Sequence, residues 1–468
     1  MGNSKSTIKS PNMKNIFVSL TALLSIFEAG AQTNPAITSW LLNNNGAKGR
    51  HYNKGNSTPV QDNDSVNVQT VLYSTNWAYI RTKGVPSYIT GPFMDGNPSL
   101  TTSQNAIFKM PLNPVQNTGN PVATTGGNIG IFINGVALFD YRDGVAWNPT
   151  TQALCGGPGN PPCPGGAGAS MDWNRDAIVA ERAGFDCAKG HPAMGNYHHH
   201  QNPSAFKLDK KVISTVCNLY DADGLYAIDS TKHSPLIGFT YDGFPIYGAY
   251  AYKNSDGTGA LVRMKSGYRL RNITTRTTNA AGQTVATGPV VSTTYPLGYF
   301  REDYEFIAHP GEADYLDEHN GRFCVTPEYP KGIYAYFATV DANWNSAYPY
   351  VVGPTFYGTK VASKVTSITE PVSVYTPQTG GVAEEALKNA TIFTQNDGEF
   401  IAVQLPGLNL ADVDVELLDM TGKKVTAGTI QKGSTLVYLD TRRSYAGTYV
   451  VRLKSGSALQ SSKIVLVK

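Results

Sequence analysis

The pattern that most restricts the fold lies in the last eighty residues, where apolar and polar side chains alternate with period two. Val413-Asp414-Val415-Glu416-Leu417 and Gly447-Thr448-Tyr449-Val450-Val451-Arg452-Leu453 each place every second side chain on one face, as a half-buried strand requires. Thr421-Gly422 and Ser455-Gly456-Ser457 supply turns, and Lys463-Ile464-Val465-Leu466-Val467-Lys468 closes the chain as a last strand. The rest of the chain speaks the same language. With 47 Gly, 28 Pro and 27 Tyr, it has the turn formers and strand-favouring aromatics of an all-β protein.

Placement, length and the Gly-x-Tyr-x-Val/Leu run of residues 385–468 resemble the C-terminal sorting domain of the type IX secretion system. The resemblance implies a sandwich-like (immunoglobulin-like) domain of about seven strands, a partnership with that secretion machinery, and delivery to the outer-membrane cell surface or the medium. The N-terminus points the same way. Lys5, Lys9 and Lys14 precede the apolar run Ile16–Phe27, and Ala29-Gly30-Ala31 reads as a cleavage site before Gln32. Met13 is the expected initiator. The apolar run is shorter than the ~20 residues a spanning helix needs, and no later segment approaches that length, so no transmembrane segment is expected in the exported protein. Residues 1–31 are therefore read as a signal peptide.

Removing a leader of that length from 468 residues leaves ample chain for two to four domains. Only 16 % of residues are charged and the formal net charge is +3, so nothing points to nucleic acid or an anionic membrane as partner. The five cysteines suit an exported, oxidising setting. Cys155 and Cys163 flank Gly-Gly-Pro-Gly-Asn-Pro-Pro, a loop with few means of holding itself, and are the expected disulfide. Cys187 with Cys217 is the candidate second pair, leaving Cys324 buried and free.

Asn134-Gly135 and Asp242-Gly243, each between apolar runs, predict two-residue type I′ hairpins. Trp173–Gly184 is the best helix, ended by glycine. Residues 151–170 and the Thr-rich 271–296 read as surface loops. The organisation expected is a β-rich extension at 32–124, an antiparallel middle domain at 125–358, a Ser/Thr/Pro-rich linker at 359–384, and the C-terminal domain.

Four of the eight histidines fall within Gly190-His191-Pro192-Ala193-Met194-Gly195-Asn196-Tyr197-His198-His199-His200. If 197–200 is extended, His198 and His200 project from one face, and two such imidazoles can converge on one transition metal, zinc or copper, with a third donor from a neighbouring strand. Candidate further ligands are His191, His233, Asp242, Asp317 and His319. Asp221-Ala222-Asp223-Gly224 has the look of a calcium loop but lacks the leading acid and the late glutamate. Neither a nucleophile elbow nor a P-loop or dinucleotide-binding glycine pattern is present.

The block as a whole resembles the YHYH family of exported bacterial proteins. Gly190-His191-Pro192 and Tyr197-His198-His199-His200 carry its first marks. Ser234-Pro235-Leu236-Ile237-Gly238, Tyr241–Gly248, Leu316–Arg322, Tyr348-Pro349-Tyr350 and Gly353-Pro354 carry the later ones. His199 stands where the family has its second tyrosine. The resemblance brings no reaction with it. Three readings follow: a metal-binding module, a metal-dependent extracellular enzyme with an open coordination position, and a structural or adhesive surface protein whose tyrosine-rich sheet contacts a small molecule or glycan.

Overall fold

The computed structural model describes residue 2, residues 34–203 and residues 230–468, apart from 45, 57, 95–98, 158, 166–170, 362, 377–383, 396, 407–410, 432–433 and 457. The expected leader, Cys217 and the calcium-like Asp221–Gly224 lie outside these residues. The chain forms two compact units that divide between Tyr375 and Thr376.

The larger unit is built on an eight-stranded mixed sheet. Its strands, in chain order, are β1 (Asn128–Phe132), β2 (Ala137–Phe139), β3 (His191–Ala193), β4 (Asn196–His199), β5 (Leu236–Thr240), β6 (Pro245–Tyr247), β7 (Gly321–Cys324) and β8 (Ile333–Phe337). Across the sheet they run β3-β4-β2-β1-β5-β6-β8-β7. The pairs β4–β2 and β6–β8 are parallel and the others antiparallel. A five-stranded sheet containing Val68–Tyr73, Trp77–Thr82 and Ala106–Pro111 shares one core with it: Val71, Ile80 and Phe108 join Ile131, Phe239, Ile246 and Tyr336 in a single buried cluster. The N-terminal extension is thus part of this body, because neither sheet could cover its apolar face alone.

Local structure departs from expectation in three places. The Asn134-Gly135 and Asp242-Gly243 hairpins are not two-residue type I′ turns. Gly135 N–H donates to Phe132 O and Gly243 N–H to Thr240 O, with φ 83° and 88° at the glycines alone, which places each glycine after the turn, where only a left-handed residue rejoins the strand. The type I′ conformation appears instead at Met194-Gly195, where φ is 50° and 82°. The helix expected over Trp173–Gly184 shrinks to Ala177–Ala180 and a 3₁₀ turn at Arg182–Gly184. Asn174–Asp176 pairs with Arg142–Asn148 as a strand, and Trp173 is buried against Phe300. Finally, Ser363–Val365 and Ser373–Val374, inside the expected linker, form the two outer strands of the five-stranded sheet.

Cys155 and Cys163 form a disulfide and Cys324 is free and buried. Cys187 is also disulfide-bonded. The Thr-rich segment 271–296 is held from within. Arg276, fully buried, donates to both carboxylate oxygens of Asp303 at 2.7 and 2.8 Å and to the carbonyls of Pro289, Tyr295 and Pro296.

The second unit is a sandwich. Thr391–Gln395, Phe400–Gln404 and Leu436–Asp440 form one sheet, and Val413–Leu418, Lys424–Ile430, Gly447–Ser455 and Ala458–Leu466 the other. Ile401, Val403 and Leu439 face Val413, Val415, Leu417, Val451 and Leu453 across a common core, so the period-two pattern of the sequence becomes its inner face. Among the described residues no helix is long and apolar enough to cross a membrane.

Candidate metal centre

The site begins with a hairpin at the edge of the large sheet. Met194-Gly195 turns the chain so that His191 on β3 lies directly opposite His198 on β4. Directly opposed residues share a face of the sheet, and residues two apart on one strand do as well. His191, His198 and His200 therefore converge, each offering one ring nitrogen within 4.8 Å of the others. All three are buried, at 6, 2 and 3 % exposure. Pro192 causes no loss on an edge strand, where its missing N–H is not needed. A side chain on Gly190 would collide with the Tyr197 ring and His199, which accounts for the glycine before the first histidine.

The opposite face of β4 is closed. Tyr197 donates to the Asp186 carboxylate at 2.9–3.0 Å. Tyr88 Oη and His199 Nε2 are 2.7 Å apart, and His199 Nδ1 donates to Lys189 O. The histidine standing in place of a tyrosine at 199 thus points away from the triad.

The tautomers of the site follow from its carbonyls. His198 Nδ1 is 2.8 Å from Asn196 O and His200 Nδ1 is 2.5 Å from Asp140 O. A carbonyl only accepts, so both Nδ1 atoms carry protons and, in the neutral rings, both Nε2 atoms present lone pairs. Those two Nε2 atoms are 3.1 Å apart. His191 adds two ring nitrogens with no hydrogen-bond partner. Burial, and then the proximity of His191 and His200, push His198 well below the ordinary imidazole range. Burial also works against charge on His200, but its contact with Glu181 outweighs this and raises it.

Glu181, at the end of the helical turn Ala177–Ala180, was not anticipated as part of the site. Its Oε2 lies 3.3 Å from both His191 Nε2 and His200 Nε2. Burial opposes its charge, yet the two imidazoles hold its carboxyl well below the usual range. In the sequence it is one acid in a stretch read as an ordinary helix, ten residues from the nearest histidine; nothing in its spacing marks it.

The other candidates are engaged elsewhere and do not join the triad. Asp242, fully buried, accepts from Tyr336 Oη at 2.6 Å, from Gly358 N–H at 2.8 Å and from Thr240. Asp317 accepts from Tyr334 Oη and the N–H groups of His319 and Gly321. His319 Nδ1 donates to Thr355 O, and His233 Nδ1 to Ser234 O. Asp242 and Asp317 knit turns to tyrosines, a task that needs buried acceptors.

Asp176, which caps the helical turn bearing Glu181, gives a pH signature. It accepts from Ile178 N–H at 2.8 Å and Tyr350 Oη at 2.7 Å, and burial pushes its carboxyl up to about 7 against about 3.9 in an unfolded chain. The folded state then holds a proton that the unfolded state releases, so the contribution of Asp176 to stability is fully present below pH 4 and is lost as pH rises toward 7, by at most about 1.4 kcal/mol per unit. Asp176→Asn keeps the cap and should flatten urea-unfolding free energies by roughly one proton's slope between pH 4 and 7. An identical slope in both proteins counts against the shift.

A β-rich body with a buried histidine triad, followed in the chain by a β-sandwich, defines a multidomain all-β protein. Residues 107–349 match the family described as YHYH protein, and residues 398–468 match the secretion system C-terminal sorting domain. The chain belongs to the YHYH family, and its sorting domain, of the type IX system, implies export to the cell surface or secretion and interaction with that machinery. No curated protein matches the chain.

Proposed function

We propose that this protein is an exported metal-binding protein that holds one transition-metal ion through Nε2 of His198 and His200 and a ring nitrogen of His191. The observation that carries this reading is the pair of Nε2 lone pairs facing each other at 3.1 Å, with Nδ1 of each ring already committed to a carbonyl. Two lone pairs so close repel unless an electrophile sits between them. A divalent cation relieves the repulsion and gives His191, whose buried ring makes no well-formed hydrogen bond and only a 3.3 Å contact to Glu181, a stronger partner. Imidazole donors suit zinc and copper and are poor for magnesium or calcium. The carbonyls on Nδ1 serve as the outer contacts that orient metal-bound histidines.

A second reading rests on the Glu181 contact that favours a charged His200. A proton on His200 Nε2 could bridge to His198 and leave the cluster a structural element of a surface protein. Elemental analysis of the purified full chain, before and after chelation and zinc or copper rebinding, separates the two. One ion per chain is expected, lost in His198→Ala. Failure to rebind either metal at micromolar concentration leaves the proton bridge as the explanation.

A further inference from the structure

We infer that Glu181 is the fourth ligand, so that the ion is enclosed by three imidazoles and one carboxylate with no coordination position left for substrate; this rests on the metal-binding reading above. Zinc–nitrogen and zinc–oxygen bonds of about 2.0–2.1 Å in a tetrahedron require neighbouring donor atoms about 3.3 Å apart, since the edge is about 1.63 times the bond. Octahedral neighbours at the same bond length lie closer, at about 2.9 Å. Glu181 Oε2 is 3.3 Å from His191 Nε2 and 3.3 Å from His200 Nε2, and His198 Nε2 is 3.1 Å from His200 Nε2. The two edges from Glu181 therefore have tetrahedral length, and the His198–His200 edge, at 3.1 Å, lies between the tetrahedral and octahedral values. Glu181 Oε2 and His191 Nε2 are buried atoms that make no well-formed hydrogen bond and meet only ring nitrogens and each other at 3.3 Å.

The arrangement also says how the ion is held. The imidazoles come from the edge hairpin and the residue after it, with side-chain exposures of 8 % for His191 and 2 % for His200, whereas the Glu181 side chain is 24 % exposed. The carboxylate thus covers the solvent side. Its backbone is fixed, with Glu181 N–H donating to Ala177 O and Gly184 N–H to Glu181 O. An ion in the centre ties the Ala177–Gly184 segment to the hairpin. Such a centre retains metal and fastens two chain segments; it does not activate water, because catalytic zinc sites keep a position open. It carries one anionic donor, which lowers the charge left on a bound divalent ion to +1 formally.

The test is titration of the metal-free full chain with cobalt(II), followed by displacement with zinc, in wild type, Glu181→Gln and Glu181→Asp. Wild type should develop the intense visible bands of tetrahedral cobalt at one equivalent. Glu181→Gln should bind roughly tenfold more weakly or worse, with weaker, shifted bands, and Glu181→Asp should recover part of both. Unchanged melting of the metal-free variants shows that the loss is one of ligation and not of folding. Equal affinity and spectrum in Glu181→Gln overturn the assignment while leaving a three-histidine site intact. Absence of cobalt, zinc and copper uptake by wild type overturns the assignment together with the metal-binding reading it rests on. Should Glu181→Gln fail to fold, Glu181→Ala takes its place, and wild-type affinity and spectrum in that variant overturn the assignment equally.

Discussion

Chelation of the metal-loaded chain should lower the melting temperature of its larger unit by about 5–10 °C, and zinc should restore it. The magnitude follows from mass action. A ligand that binds only the folded state at a thousand times its dissociation constant contributes about 4 kcal/mol, and domains of 150–250 residues shift by about 2–4 °C per kcal/mol, larger ones by less. The sign is fixed by where the donors come from. The hairpin brings His191, His198 and His200 within 4.8 Å of one another only in the folded sheet, so the unfolded chain cannot match its affinity. His198→Ala removes a donor with the least access to solvent and should abolish the response. Differential scanning calorimetry with and without zinc reads it directly, and a melting temperature indifferent to zinc in wild type would refute it. Acid should weaken the response as well, because protons compete for Nε2.

Arg276→Met should cost about 3–5 kcal/mol, the usual penalty for removing one partner of a buried ion pair. Both Arg276 and Asp303 side chains are wholly inaccessible. Besides the carboxylate, the guanidinium satisfies carbonyls of Pro289, Tyr295 and Pro296. Methionine fills much of the volume but leaves those oxygens and Asp303 without their donor. Asp303 retains the N–H groups of Gly298 and Phe300, which favours the lower part of the range. Urea unfolding of the full chain measures the loss, and Asp303→Asn added to Arg276→Met should return part of it, since the stranded charge goes too. A cost below about 1 kcal/mol for the single variant would show that the loop repacks around the gap.

Legibility of this protein in its sequence tracks the range of the interactions involved. The alternation in Val413–Leu417 and Gly447–Leu453 was readable because a strand's two faces differ in every second residue, and both segments put those residues into the sandwich core. His198 and His200 were readable as sharing a face for the same reason. That His191 joins them depends on register, and register was set by a turn at Met194-Gly195 that the sequence does not advertise as strongly as Asn134-Gly135 or Asp242-Gly243. Those stronger signals misjudged turn type by one position, since each glycine was needed after the turn and not inside it. Glu181 was hidden for a different reason. It reaches the histidines through tertiary packing of a short helical turn, and no periodicity relates a turn to a hairpin elsewhere in the fold. The Thr-rich stretch 271–296 looked like a surface loop because Arg276, one of its two arginines, carries in the sequence no visible sign of its buried partner Asp303.

Ser363–Val365 and Ser373–Val374 hydrogen-bond along the two margins of the five-stranded sheet, strands lying two hundred and more residues downstream of the ones they flank. Unpaired margins invite other chains to add on. A chain cut upstream of Ser363 would lose both outer strands, bare both margins and be prone to self-association, whereas a cut beyond Tyr375 leaves the sheet whole.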